Sequence, residues 1–277
     1  MILITILLIG VGMIAVEKFW PANDLPRVRA WWPRVVLINC IQLGMVIVAG
    51  ITWDRWLQGY SVVKISRHLS LIPAAAITYI AVTFIYYWWH RIRHESKLFW
   101  LLCHQLHHSP ARIEVVTSFY KHPVEITVNS ILSSMIAYPL MGCNIQAAAL
   151  TTFMTAIAEF LYHWNIKTPF WVGRLFQRPE SHRVHHMYRH HTQNFADLPV
   201  WDMLFGTYRN PKNPIPRCGF DPDKEDRFED ILTFRDLHDE KAAVKDPLHF
   251  LPTCIGCSKR WACRENNGDL TKTPHNS

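Results

Sequence analysis

Several familiar sequence patterns are missing from this chain of 277 residues. It has no internal repeat of solenoid type and no low-complexity linker, which excludes repeat proteins and largely disordered chains. No glycine-rich fingerprint follows a strand, which argues against a fused dinucleotide-binding domain. Lys and Arg never form a long run although the net charge is +7, so a basic arm that binds nucleic acid is excluded as well.

Charge is also missing from long stretches of the first 162 residues. A helix needs about 20 apolar residues to cross the hydrocarbon core of a bilayer. Stretches that reach or approach this length predict four or five membrane spans, because uncharged runs recur too often for the buried helices of a soluble protein. The candidate spans are Met1–Val16, Val35–Trp53, Leu69–Trp89, Ile126–Cys143 and Ile145–Tyr162.

The first apolar segment is preceded by no basic residue, since the first one is Lys18. A secretory signal has a positively charged start and a small-residue cleavage site. We therefore interpret Met1–Val16 as a retained membrane anchor rather than a cleaved signal.

The cysteines do not indicate a disulfide framework. Their number, seven, is odd, and four of them lie beyond residue 210, which indicates a reducing compartment or a metal site. The spacing Cys254-x2-Cys257-x5-Cys263, with Cys218 or His249 as a fourth ligand, is compatible with zinc or an iron–sulfur cluster. Ordinary reduced thiols are the simpler interpretation of the same residues.

Histidine, by contrast, is abundant and regularly spaced. Twelve of the 16 histidines lie between residues 90 and 191. The three regular sets, called boxes below, are His90-x3-His94, His104-x2-His107-His108 and His182-x2-His185-His186. Residues three and four apart share a helix face, so each box directs two or three imidazoles the same way. Convergent neutral nitrogens at about 2 Å are what a metal ion requires.

The number of ligands indicates more than one ion. A structural zinc takes about four ligands, and the three boxes offer eight, which is enough for two ions. Imidazole suits zinc, copper, iron and nickel alike, so the ligand type leaves the metal open. Carboxylates are scarce in this stretch, and the Glu-x-x-His pattern of soluble di-iron bundles is absent.

The boxes, placed after membrane spans, resemble those of the fatty acid hydroxylase/sterol desaturase superfamily. Lys121–Glu125 (Lys-His-Pro-Val-Glu) is similar to the family's His-Pro-hydrophobic-Glu segment, and Trp201–Tyr208 is similar to its Trp-Asp-x-x-Phe-Gly-Thr closing motif. The resemblance runs from about Tyr79 to Tyr208. It implies a non-haem di-iron centre at the cytoplasmic face, O2 as oxidant, and a lipid substrate that arrives from the bilayer.

The resemblance also implies nine metal ligands, because His163 matches a family histidine that follows the last pair of apolar segments. The nine are His90, His94, His104, His107, His108, His163, His182, His185 and His186. Some family members have a second histidine near this position, which is missing here. His122 could supply that tenth ligand, but we expect it to support a ligand from behind. We expect His190 and His191 to be a solvated surface pair.

These observations predict an all-α, multi-pass membrane protein with four or five transmembrane helices and a cytoplasmic, histidine-rich helical cap. We expect N-terminal spans in residues 1–68, a catalytic domain in 69–210 and a cytoplasmic tail with the cysteine cluster in 211–277. The basic residues of the first loop and those that follow Trp89 share one side of the membrane. The positive-inside rule makes that side cytoplasmic.

The function implied by the resemblance is a di-iron oxidoreductase that hydroxylates a C–H bond of a lipid with O2. No cytochrome-b5-like domain is fused, so the electrons are expected from a separate protein. A desaturase of the same family is the first alternative. A non-catalytic membrane metal-binding or transport protein is the second, disfavoured because transporters hold polar ligands within their spans and these boxes lie at span ends.

Overall fold

The structure is a computed structural model that describes residues 1–188, 190, 192–213, 215 and 217–237. Within these ranges the chain is helical and contains no β-strand, which confirms the all-α prediction. A single antiparallel bridge joins Met187 to Cys218 in the same part of the chain.

Thirteen α-helices, several of them a single turn, make up the described fold. They are α1 (Ile2–Phe19), α2 (Trp31–Ile51), α3 (Trp53–Trp56), α4 (Ile65–His68), α5 (Leu71–Glu95), α6 (Lys97–Phe99), α7 (Gln105–His108), α8 (Pro123–Met135), α9 (Ile145–His163), α10 (Pro179–His185), α11 (Pro199–Leu204), α12 (Pro222–Glu225) and α13 (Phe228–Leu232). Two π-helical segments (Trp100–His104, Ile136–Leu140) and two 3-10 segments (Val115–Thr117, Phe170–Arg174) complete it.

Four helical segments of the described chain are long and apolar enough to cross a membrane. They are Ile2–Phe19, Trp31–Trp56, Leu71–Glu95 and Ile145–His163. This confirms the prediction of an integral membrane protein with multiple spans. The third span continues six residues past Trp89, the end predicted from the sequence, so His90 and His94 lie on the last turns of the span itself.

The predicted span Ile126–Cys143 is not one of these four. Helix α8 ends at Met135, and the chain continues as the π-helical segment Ile136–Leu140, which contains Pro139. Proline lacks the backbone N–H that an α-helix needs, and the wider π-turn accommodates this loss. Gly142 then turns the chain with a φ of 70°. The side chain of Asn144 accepts a hydrogen bond from Ala147 N (2.8 Å) and begins α9.

The described part of the predicted tail is anchored in the core by three apolar residues. Phe220, Ile231 and Leu237 are buried in the hydrophobic cluster that contains Trp100 and Leu106, beside the second histidine box. Their apolar positions are too widely spaced to show a helical period, which is why the sequence reads as a polar tail. Residues 217–237 therefore belong to the same packed unit as the histidines.

Candidate metal centre

The structure brings the nine predicted ligand histidines together in two groups. One group consists of His90, His94, His104, His108 and His185, and the other of His107, His163, His182 and His186. Within each group the candidate ligand atoms all lie within 4.8 Å of one another, and every member is buried or nearly so. The two groups adjoin, because the rings of His108 and His186 stack with their centroids 4.3 Å apart.

Each H-x2-H-H box contributes to both groups. His104 and His108, four residues apart, enter the first group, whereas His107 enters the second. In the third box the pattern is reversed, since His185 joins the first group while its two neighbours join the second. Because each of these two boxes supplies histidines to both groups, the two groups lie side by side.

Local backbone geometry explains how these side chains are aimed. The second box straddles a junction between a π-helical segment, Trp100–His104, and α7. A π-turn adds a residue to the helix and rotates the side chains that follow, and such turns are frequent at functional sites. The third box lies on α10, which begins with Pro179 at its first position, where a proline costs no hydrogen bond.

Hydrogen bonds from the ring nitrogens fix the tautomers. His90 Nδ1 contacts Phe195 O at 2.7 Å, and His104 Nδ1 contacts the carboxylate of Glu125 at 3.2 Å. A carbonyl only accepts, so His90 Nδ1 carries the proton and its Nε2 carries a lone pair; the carboxylate of Glu125 favours the same tautomer for His104. These two Nε2 atoms lie 2.9 Å apart. Lone pairs at this separation repel unless a cation holds them together, so the arrangement fits a bound metal ion.

Burial keeps the imidazoles in the form that binds metal. Desolvation, with repulsion from neighbouring cationic groups, lowers the pKa of the histidines outside the spans well below the ordinary value. This applies to His104, His107, His108, His182 and His186. The neutral ring is the ligand form, so no proton has to be displaced when a metal ion binds.

Glu125 belongs to a motif that the sequence shows without indicating a role for this residue. Its carboxylate is fully buried and contacts both the guanidinium of Arg93 and Nδ1 of His104. A carboxylate behind a ligand histidine fixes the orientation of the ring and strengthens it as a ligand. The His-Pro-hydrophobic-Glu segment therefore reaches the candidate metal centre through its glutamate.

The histidine of that segment has a different position from the ligands. His122 caps α8 by accepting a hydrogen bond from Val124 N (3.1 Å), and its Nε2 lies 3.3 Å from Leu232 O. It lies in neither histidine group. His190 Nε2 contacts Thr192 Oγ1 at 2.9 Å, and His191 lies outside the described residues.

Of the residues in the predicted cysteine site, only Cys218 lies in the described part of the chain. Its thiol is buried and points at Arg183 O (3.6 Å), and burial raises its pKa to about 11. Both features favour the protonated thiol over the thiolate that metals bind. Cys254, Cys257, Cys263 and His249 lie outside the described residues.

A small polar cavity with a volume of about 30 Å³ lies beside the histidine groups. It is lined by Tyr86, His90, Arg93, His104, His107, Lys121, Asn129, Thr155, Glu159, Tyr162, His182, Phe195 and Asp197. Lys121 Nζ lies 2.6 Å from both carboxylate oxygens of Glu159. Burial and the charge of Glu159 raise the pKa of Asp197 to about 7. A signal for this cavity was present in the sequence, because Glu159 is an acidic residue inside an apolar span.

The closing motif braces the first group from the opposite side. Asp202 accepts hydrogen bonds from Phe195 N (2.8 Å) and Ala196 N (3.0 Å). The carbonyl of the same Phe195 accepts a hydrogen bond from His90 Nδ1. The motif therefore positions a candidate ligand through one intervening residue.

Comparison with known proteins agrees with this site. The family model for fatty acid hydroxylase matches residues 75–207, which contain all three boxes. The chain is 29% identical over 167 residues to ornithine lipid hydroxylase OlsE of Rhizobium tropici, covering 58% of this chain and 45% of that protein. No solved structure is significantly similar to it.

Two further relatives are similar to part of the chain. Alkylglycerol monooxygenase of Xenopus tropicalis is 28% identical, covering 50% of this chain and 31% of that protein. Sphingolipid C4-hydroxylase sur2 of Schizosaccharomyces pombe is 25% identical, covering 47% of this chain and 46% of that protein. Over the matched region the chain is similar to members of the fatty acid hydroxylase/sterol desaturase superfamily. It spans less than half the length of these three relatives.

Proposed function

We propose that this protein is a membrane-bound di-iron oxygenase that hydroxylates a C–H bond of a lipid. The overall reaction consumes O2, two electrons and two protons, and yields the hydroxylated lipid and water. The observation that carries the proposal is the pair of adjoining groups, in which nine buried histidines converge at the end of membrane spans.

The residues around the groups provide what an oxidative site needs from the protein. Iron bound by these histidines supplies the O2 activation that amino-acid side chains cannot perform. Glu125 and the backbone carbonyls hold the ligand rings in place, and the burial of the groups excludes water. Tetrahedral zinc sites use about four ligands, so nine histidines favour two ions with more ligands each.

A lipid substrate follows from where the cavity lies. Its lining includes Tyr86 of α5, Asn129 of α8 and Thr155 of α9, so the cavity extends from the histidines down between membrane helices. We infer that the lipid reaches the histidines from this side, within the bilayer. Hydroxylation is favoured over desaturation because the three relatives described above are named as hydroxylases or a monooxygenase.

Transport is less compatible with this arrangement. Transporters bind their cargo near the bilayer midplane on broken helices. Here His90 and His94 lie on the last two turns of α5, and His163 is the last residue of α9. A site at span ends suits catalysis at the membrane surface.

We infer that the histidine groups face the cytoplasm. The loop between α1 and α2 packs against the chain that follows α9, since Ala22 N donates to Asn165 O (2.8 Å). The basic residues of that loop therefore share a side with the histidines, as the sequence predicts, and cationic loops are typical of the cytoplasmic side. Electrons from a separate protein, and zinc or an iron–sulfur cluster in the cysteine tail, remain predictions.

The test starts with metal content and turnover of the detergent-purified protein. The protein is loaded anaerobically with Fe2+ and compared with His107→Ala, while His68→Ala, at an exposed histidine far along the chain from the boxes, serves as control. We expect about two irons per chain in the parent and control proteins and clear loss in His107→Ala. Incubation with lipid extract and 18O2 should then give a lipid product heavier by one labelled oxygen. Stoichiometric iron without any O2-dependent product would refute the oxygenase.

A further inference from the structure

Two short segments beyond the last span carry large apolar side chains that are exposed in the structure. The first is the 3-10 segment Phe170–Arg174 with the residues after it, and the second is α11. The exposed residues used here are Trp171, Leu175, Phe176, Val200, Met203 and Leu204, with Trp171 at 61% and Leu204 at 65% exposure. Burying this much apolar surface is favourable, so an exposed cluster of this kind marks an interaction surface.

The two segments form one continuous surface, which we call the apolar ledge. They contact each other, and Tyr208, just after α11, donates a hydrogen bond to Gly173 O (2.7 Å) in the 3-10 segment. From the sequence, the chain beyond residue 162 reads as water-soluble, because no apolar run there is long enough for a span. The ledge is built from two short segments that are 25 residues apart, so no window of the sequence shows it.

The depth of the ledge is set by its contact with a membrane span. Trp201 Nε1 of α11 donates to Thr83 Oγ1 of α5 (3.0 Å), and its ring lies 5.0 Å from that of Phe84. Thr83 is the thirteenth of 25 residues in α5. At about 1.5 Å per residue, it lies roughly 12 Å before Arg91, the first charged residue of the span. Helix α11 is therefore beside the apolar part of α5 and not above it.

The composition of the ledge also fits a lipid boundary. Exposed Lys167 and Arg174 flank the aromatic residues Phe170 and Trp171. Tryptophan and basic residues together are typical of the interface between lipid headgroups and acyl chains.

We propose that the apolar ledge is inserted into the bilayer, as an in-plane extension of the lipid-facing surface of α5. Its occupant is lipid, because the ledge is continuous with the membrane-facing part of that span. This inference depends on the membrane spans and not on the proposed reaction, so the two can fail separately.

The test measures the surroundings of one ledge residue with a nitroxide label. Leu204→Cys is labelled and placed in nanodiscs of phosphatidylcholine and phosphatidylglycerol, with one copy per disc. Asp223→Cys, at an exposed position of α12, is the water-facing control, and Leu8→Cys, 67% exposed on α1, is the lipid-facing control. The parent protein, treated in parallel, gives the background from its native cysteines.

Collision rates with O2, which concentrates in lipid, and with a water-soluble nickel chelate are then compared. We expect the label at position 204 to collide with O2 at least several-fold more than with the chelate, as at position 8. High collision rates with both reagents, as at position 223, would place the ledge in water and overturn the proposal. Low rates with both would mean that protein covers the ledge, which overturns it equally, and a single copy per disc excludes a second molecule as that cover.

Discussion

Substitution of Glu125 by glutamine tests whether the carboxylate behind His104 controls metal binding. Glutamine keeps the size of the side chain but removes the negative charge that faces His104 Nδ1 and Arg93. Loss of such a supporting carboxylate typically lowers metal affinity 10- to 100-fold, or about 1.4 to 2.7 kcal/mol. We therefore expect Fe2+ to bind Glu125→Gln in this range more weakly than the parent protein.

The assay is an anaerobic Fe2+ titration against a competing chelator, followed by the absorption or Mössbauer signal of the bound iron. The matched control is Glu114→Gln. Glu114 is also a buried carboxylate paired with an arginine, Arg112 at 2.6 Å, but it accepts its second hydrogen bond from Trp31 Nε1 and not from a histidine. We expect the control to keep the parent affinity.

Two results would refute the reasoning. An unchanged Fe2+ affinity in Glu125→Gln would show that the carboxylate does not act through His104. An equal loss in both variants would show that any buried carboxylate matters only for folding. Thermal unfolding of the metal-free proteins separates these cases, because it reports the cost of leaving Arg93 or Arg112 unpaired without involving iron.

Two other predictions concern stability in detergent. Lys121→Met leaves the mostly buried Glu159 without its cation, which should lower the free energy of unfolding by about 3 to 5 kcal/mol. The double variant Lys121→Met/Glu159→Gln should recover most of this loss, and equal free energies of unfolding for the two variants would contradict the prediction. Burial raises the pKa of Glu225 from 4.5 to about 7, so its contribution to stability is present below pH 4.5 and is lost as pH rises through about 7, by about 3 kcal/mol at most. Glu225→Gln should flatten this part of the pH profile of unfolding, and a variant that keeps the parent slope would show that another group titrates.

Eight of the nine candidate ligands are suggested by histidine spacing, which maps onto helix faces, and His163 by the family resemblance. The structure shows how the boxes divide between two groups. In both H-x2-H-H boxes the two histidines four residues apart enter one group, and the remaining histidine enters the other. The same division occurs after the π-helical segment and on the regular helix α10, so it follows the spacing within each box.

For the membrane helices, too, the hydropathy pattern predicted the main segments, whereas features that depend on packing were not predicted. The uncharged runs predicted four or five spans, and four of the five runs correspond to helical segments whose ends differ from the prediction by a few residues. In Ile126–Cys143 the regular α-helix ends at Met135, and the chain continues as a π-helical segment that contains Pro139. Phe220 and Leu237 were missed as core residues because they pack through contacts with distant parts of the chain.

At the candidate metal centre, the negative charges that could compensate metal ions belong to side chains that are not candidate ligands. Two divalent ions bring four positive charges, and neutral imidazoles offset none of them. Of the cavity carboxylates, Glu159 is already paired with Lys121, while Asp197 has a pKa of about 7 because it is buried next to Glu159. A nearby cation lowers the pKa of a carboxyl group, so metal binding favours the ionised form of Asp197. Asp197 could then offset one of these charges, although it belongs to neither histidine group.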